Sequence, residues 1–391
     1  MAKLPAALGG PPEFDLMLNI VGPAFPKLED IAGSLNEALV SGNVTNNSRF
    51  VRELEAEMRG YLDGPDFIAT ANGTLSLQLI LERWRAKGEV ICPSFSFVAT
   101  AHAIAVAGLT PVFADVDPET WNITAETTQG LITDETAAIM PVHVFGNPCH
   151  IEPLERLARS ANVRLLFDSA HAIGASYKGR KIGGYGDAES FSFHATKTLP
   201  MAEGGGVATF DEDLARDIRA ARVFGDYGDH DCAFPSTNAK MQEFSAILGL
   251  DGLKRLDDNI EQRARCVELY RSKLGAVPGV RFQKIDEDAR PSYQNFVILV
   301  DESDAGLSRN ELHEAMAKEN IMTRKYFYPA IHRQKAYLAD RPALPVTEEI
   351  SDRALCLPLH NHMSTELVER ISDAALSIFE HADEVRRFVG S

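Results

Sequence analysis

Lys197 lies in "SFHATKTLPMAEGGGVATF", an apolar, glycine-flanked stretch that offers a lysine little water. The commonest setting for a lysine is an exposed loop, but Gly204, Gly205 and Gly206 count against it, because glycines permit close backbone approach or a positive φ. Burial disfavours the charged ammonium, lowers its pKa and yields an amine nucleophile suited to carbonyl chemistry. Ahead of it, Phe191 and Phe193 alternate with Ser192, so a strand that buries both rings turns the hydroxyl to the opposite face. Upstream, "VRLLFDSAHAIGA" ends an apolar run on Asp168 with His171 close behind. A carboxylate at a strand tip can pair with a cation or simply cap the next segment. His171 reads as a ligand contact or as a core histidine satisfied by backbone. "TANGTLSLQLIL" sets Gly73 and Thr74 where a helical pattern starts. Free N–H groups, the helix dipole and a hydroxyl make an anion site there, and a plain threonine cap would look the same.

The elements that must position these residues are short apolar strands alternating with amphipathic helices between about residues 67 and 210. "FIATA", "EVICPS", "TPVFADV", "AAIMPVHVF" and "VRLLFDSA" are the strands, and "LSLQLILERWRAKG", "FVATAHAIAVAG" and "IEPLERLARSAN" the helical patterns between them. Such alternation predicts βαβ units and a mostly parallel sheet, with ligands beyond the carboxyl ends of the strands. The charged pattern from 256 to 277 predicts a long connecting helix. Strands "VRFQKI" and "QNFVILV", a helix near 308 to 319, the basic, aromatic "IMTRKYFYP" and a terminal helix from about 364 predict a smaller α/β unit. The expected organisation is an N-terminal arm over 1–30, a large domain over 31–255, and the connecting helix with a small C-terminal domain over 256–391.

Composition narrows the partners. The chain has 391 residues, 45% hydrophobic and 24% charged, with a formal charge of −17. That charge argues against a nucleic-acid backbone as partner, although a local pocket can still be positive. No apolar run is long enough to cross a bilayer, and the start reads as a loose arm rather than a signal peptide. The five scattered cysteines, without a CxxC pair, fit reduced thiols in a cytoplasmic enzyme and show no zinc site.

A phosphate cradle, a carboxylate and an activated lysine together are what pyridoxal 5'-phosphate (PLP) requires: an anion site for its phosphate, an acid for its ring nitrogen and an amine for its aldehyde. "CPSFSFVAT" offers Phe95 and Phe97 at another strand end as an aromatic face for the ring. From "TNNSRFVRELEAEM" through "PVHVFGNPCHIEPLERLA" and "SFHATKTLPMAEGGGV" to "STNAKMQEFSAILGLDGLKRLD" and "YFYPAIH", the chain resembles the DegT/DnrJ/EryC1/StrS family of PLP-dependent nucleotide-sugar aminotransferases. The resemblance implies an aspartate aminotransferase-like, fold type I architecture with a mostly parallel seven-stranded sheet.

It implies that Lys197 bonds the cofactor aldehyde and carries a proton to and from the substrate carbon, and that Asp168 keeps the ring nitrogen protonated. His171 would bond the ring hydroxyl, Phe97 would stack on the ring, and Gly73, Thr74 and Ser192 would hold the phosphate. Asn238 would reach the phosphate of a neighbouring subunit, which implies a homodimer with shared active sites. Asn46, Lys240, Arg324, Lys325, Tyr326, Tyr328 and His332 fall where relatives contact substrate. Ser48 departs from a glycine common in that family, and Lys240 from a frequent arginine. The activity so implied moves an amino group from glutamate to a nucleotide-linked keto-sugar, first of all dTDP-4-keto-6-deoxyglucose. A C3-acting enzyme, a cyclitol or aminohydroxybenzoate-pathway aminotransferase, and a non-catalytic PLP-fold sensor are the alternatives. A branch of the family that dehydrates its sugar carries histidine in place of the lysine, and Lys197 speaks for transamination.

Overall fold

A computed structural model describes residues 4–337 and 342–389. Two helices, α1 (Leu28–Ser41) and α2 (Arg49–Tyr61), precede the alternating region. There follow β1 (Asp66–Thr70), α3 (Gly73–Arg83), β2 (Glu89–Pro93), α4 (Ala99–Val106), β3 (Thr110–Ala114), α5 (Ala125–Gln129), β4 (Thr136–Ile139), α6 (Ile151–Ala161) and β5 (Arg164–Asp168). The short strands β6 (Ser176–Tyr177) and β7 (Arg180–Lys181) lead to β8 (Ala188–Ser192) and β9 (Gly205–Thr209). Helices α7 (Glu212–Ala221), α8 (Glu243–Leu253) and α9 (Leu256–Leu274) come next. The remainder holds β10 (Val280–Phe282), β11 (Ala289–Arg290), β12 (Phe296–Val300), α10 (Glu302–Ala305), α11 (Arg309–Lys318), α12 (Pro345–Arg353), β13 (Ala354–Leu357), α13 (Thr365–Glu380) and α14 (Ala382–Val389).

The main sheet has seven strands in the order β1-β9-β8-β5-β4-β2-β3, and β9 alone runs antiparallel to both its neighbours. Its central strands are apolar at successive positions because both faces are covered. Ile91, Leu165 and Phe167 join one hydrophobic cluster, while Val90, Cys92 and Leu166 join a second on the other face. That is the two-residue period of a strand divided between two layers. A third cluster fills the space between the sheet β10-β12-β13 and helices α9, α11 and α13, with the Tyr270 and Phe296 rings stacked at 4.6 Å.

The glycine run acts through close approach. A Cβ on Gly205 would sit 2.3 Å from the Asn72 carbonyl carbon, and one on Gly206 would sit 2.1 Å from Phe67 Cζ. The missing Cβ at Gly205 lets β9 lie directly against the start of α3, and the missing Cβ at Gly206 leaves room for the Phe67 ring of β1.

"IMTRKYFYP" is mostly irregular: its bridges are isolated ones, Ile321 with Leu18 and Arg324 with Cys356. The segment passes between cores. Ile321 packs in the third cluster, Phe327 in the first and Ile331 in the second. A chain that must bury successive anchors in three places cannot keep one sheet's alternation.

Candidate active site

Asp168 ends β5 and is 5% exposed. Its Oδ2 accepts the Thr100 hydroxyl at 2.8 Å and its Oδ1 accepts the Ala170 N–H at 3.1 Å. Burial pushes its pKa up, while Thr100, the Ala170 N–H and the nearby Lys197 charge pull it back. Three partners that favour the anion keep a desolvated carboxylate ready for a cation.

Lys197 lies beyond β8 in a turn closed by its own N–H on the His194 carbonyl at 2.8 Å. The side chain is half-buried, and desolvation lowers its pKa to about 8 despite the opposing pull of Asp168. Near neutrality an appreciable share of this amine is therefore unprotonated and nucleophilic. His171 feels the Lys197 charge as well, but burial is the larger cause holding its pKa well below the usual value. Its Nδ1 is buried without a hydrogen-bond partner. The structure thus gathers Asp168, His171 and Lys197 into one electrostatic neighbourhood, as the sequence leads one to expect.

Gly73 and Ser192 also meet. A Cβ on Gly73 would lie 2.9 Å from Ser192 Cβ and 3.0 Å from the Phe191 carbonyl oxygen. Asn72 caps α3 by accepting the Leu75 N–H at 2.9 Å, and its carbonyl takes the Ser76 N–H at 3.1 Å. Gly73 and Thr74, at the first positions of the helix, have no intrahelical acceptor for their N–H groups and face the Ser192 end of β8. A helix terminus with a hydroxyl beside it is suited to a phosphate.

Of the two candidate aromatics, Phe95 is fully buried and packs edge-on against Trp121, Phe145 and Phe327, whereas Phe97 is 59% exposed. Asn238 is exposed, and the Lys240 ammonium sits 4.9 Å from the Phe224 ring centroid. Asn46 is exposed on the α1–α2 connection at φ 62°. Arg324 donates to the Tyr326 hydroxyl at 2.7 Å, the Arg309 guanidinium lies over the exposed Tyr328 ring, and burial together with Arg309 lowers the Lys325 pKa.

His332 has a different setting from the one expected of a substrate contact. It is 1% exposed, with Nδ1 on Ser94 Oγ at 2.6 Å and Nε2 on Glu348 at 3.1 Å. Both nitrogens are committed to joining the end of β2 to α12.

Two residues escape sequence reasoning. Thr100 fixes Asp168 across 68 positions, and a threonine in an alanine-rich helix gives no sign of that. Phe327 stacks on Phe145 at 5.3 Å and on His171 at 6.3 Å, which brings the 323–330 segment to the site. An aromatic between two tyrosines is visible, but its destination is not.

A half-buried lysine of lowered pKa, a strand-end carboxylate, an unpartnered buried imidazole nitrogen and a helix N-terminus beside a serine fit PLP, and point to a PLP-dependent transferase. The sequence profile of the DegT/DnrJ/EryC1/StrS aminotransferase family matches residues 27–375, and the chain belongs to that family. It is 32% identical, over 93% of its length and 99% of the relative's, to the dTDP-4-amino-4,6-dideoxy-D-glucose transaminase of Escherichia coli. Identity to the enzyme of that name from Shigella dysenteriae is 35%, over 90% and 96% of the two chains. Among solved structures, DesI, crystallised in the presence of its TDP-sugar product, superposes with a TM-score of 0.92 at 36% identity over 98% of each chain. The protein is a PLP-dependent sugar aminotransferase of the α/β fold shared by these neighbours.

Proposed function

We propose that the enzyme moves an amino group between glutamate and dTDP-4-keto-6-deoxyglucose, the sugar product being dTDP-4-amino-4,6-dideoxyglucose. The observation that carries the chemistry is the Lys197 amine, its pKa lowered to about 8 beside Asp168 and His171. The sugar assignment rests on the names of the relatives at 32% and 35% identity.

When bound, PLP supplies an electron sink that takes the amino group from a donor and passes it to a ketone. Lys197 would supply the amine for the cofactor aldehyde and would hold and move the proton at the substrate carbon. Asp168 holds the proton on the ring nitrogen, anionic through its bonds from Thr100 and Ala170. The Gly73 and Thr74 N–H groups and the Ser192 hydroxyl would bind the phosphate, His171 would meet the ring hydroxyl, and Phe97 would cover the ring. Asn46, Lys240, Arg324, Lys325, Tyr326 and Tyr328 contact the nucleotide sugar.

A second copy of the chain completes the site, with Asn238 of each protomer directed at the other's phosphate. Large apolar side chains exposed on one protomer, including Leu39, Val40, Phe97 and Phe224, support such a partner. Five unbridged cysteines support a reducing, cytoplasmic setting.

Incubating the PLP-loaded enzyme with glutamate and dTDP-4-keto-6-deoxyglucose is expected to give the 4-amino sugar. Absence of product there, with turnover of a 3-keto isomer, would reverse the regiochemistry.

A further inference from the structure

The residues on both sides of Lys197 are gripped from far along the chain. Gln294 Oε1 accepts the Thr198 N–H at 2.9 Å and the Thr198 hydroxyl at 3.0 Å, while its Nε2 donates to the Thr196 carbonyl at 2.8 Å. Asn361 Nδ2 donates to the Thr198 carbonyl at 3.1 Å. Both gripping residues converge on Arg263 of α9. Its Nε donates to Asn361 Oδ1 at 2.6 Å, and one terminal nitrogen donates to the carbonyls of Tyr293, Gln294 and Leu359 at 3.0, 3.3 and 3.4 Å.

Arg263 is unusual in its own right. It is 3% exposed, and among the described residues no carboxylate lies within ion-pair distance of it. Burial lowers its pKa to about 10. A buried charge held by carbonyls alone is expensive for stability, since uncompensated desolvation usually outweighs such contacts. What it does accomplish is to fix the two segments that hold the Lys197 turn. A lysine side chain has several rotatable bonds, so the backbone it springs from decides where its amine can reach.

We propose that Gln294, Asn361 and Arg263 form a clamp that positions the Lys197 amine for cofactor capture, with Gln294 as the jaw on the turn and Arg263 acting through Gln294 and Asn361. This rests on Lys197 being the residue that bonds PLP. The clamp also ties the reactive turn to α9 and to the segments flanking β12 and β13.

The test uses full-length apoenzyme mixed with PLP, following growth of the visible band of lysine-bound cofactor against pH, with thermal melting alongside. Gln294→Ala is expected to slow band formation about ten- to hundredfold, the range typical of lost supporting contacts. A loosened turn holds the amine less firmly in its desolvated place, so the pH midpoint of the rate is expected to rise from about 8 toward the free-lysine value. Gln294→Glu keeps the acceptor for Thr198 and loses the donor to Thr196, and is expected to slow the rate less. Asn361→Ala shifts both readouts in the same direction by a smaller amount.

Gln262→Ala is the control: from the same helix its side chain donates to the Met363 carbonyl at 3.1 Å. It is expected to lower the melting temperature and leave rate and midpoint unchanged. Wild-type rate and midpoint in the Gln294 variants overturn the clamp, and if Gln294→Ala does not fold, Gln294→Glu and Asn361→Ala decide by the same readouts. A band that persists in Lys197→Ala overturns the site reading itself, and the clamp with it.

Discussion

The Lys197 turn is held by fixed protein partners on both sides, whereas the 323–330 segment leaves Arg324 and Tyr328 in water. The difference follows from the two tasks. Bond formation at a carbonyl needs an amine placed to a fraction of an ångström, so the Asp168 carboxylate and the backbone on either side of the lysine have their hydrogen bonds already made, while His171 Nδ1 stays open for a ligand. Recognition of a large polar substrate can use exposed side chains that gain their partners only when ligand or a second subunit arrives. The 323–330 segment is nonetheless anchored, through Phe327 stacked on His171.

Replacing Lys197 with Ala is expected to have the largest effect, a fall in kcat of roughly 10⁴-fold or more, because the proposed mechanism gives one residue the roles of nucleophile and proton carrier. Single-turnover amino transfer with glutamate measures it. Residual turnover near wild type would show that the chemical end lies elsewhere.

Asp168→Asn is next, with kcat down about 10²- to 10³-fold. It carries a pH signature as well. The folded lysine has a depressed pKa, so its reactive neutral form accumulates as pH rises through about 8. Asp168 opposes that depression, and its neutralisation must move the midpoint of apoenzyme lysine labelling further down. An upward move would contradict the assigned contact.

Gly73→Ala pushes a methyl against Ser192 and the Phe191 carbonyl. PLP affinity is expected to fall about tenfold, the equivalent of one charge-assisted hydrogen bond, with little change in kcat at saturating cofactor. Equilibrium dialysis reads it.

The substrate end predicts smaller, separable effects. Tyr328→Ala is expected to raise KM for the nucleotide sugar about three- to tenfold at constant kcat. His332→Ala should leave KM alone and instead lose about 2 kcal/mol of stability, because it removes buried bonds to Ser94 and Glu348. A KM effect from His332 would return it to the recognition end and blur the division.

Local pattern alone determined much of this protein. Short apolar runs between helical patterns marked the strands, polar residues at or just past strand ends marked Asp168, Ser192 and Lys197, and a glycine-threonine helix start marked a candidate anion site. These signals are short-range: each depends on neighbours within a turn or a strand. Tertiary structure decided what depends on distant contacts. It set Gly205 against the start of α3 and Gly206 against Phe67, turned the 321–331 stretch into a strap across three cores, and buried His332 between Ser94 and Glu348. It also brought Thr100 to Asp168, and Gln294, Asn361 and Arg263 to the lysine turn. A side-chain amide carries no record in sequence of the carbonyl it will meet a hundred residues away; only the packing of α9 and the two sheets brings them within 3 Å.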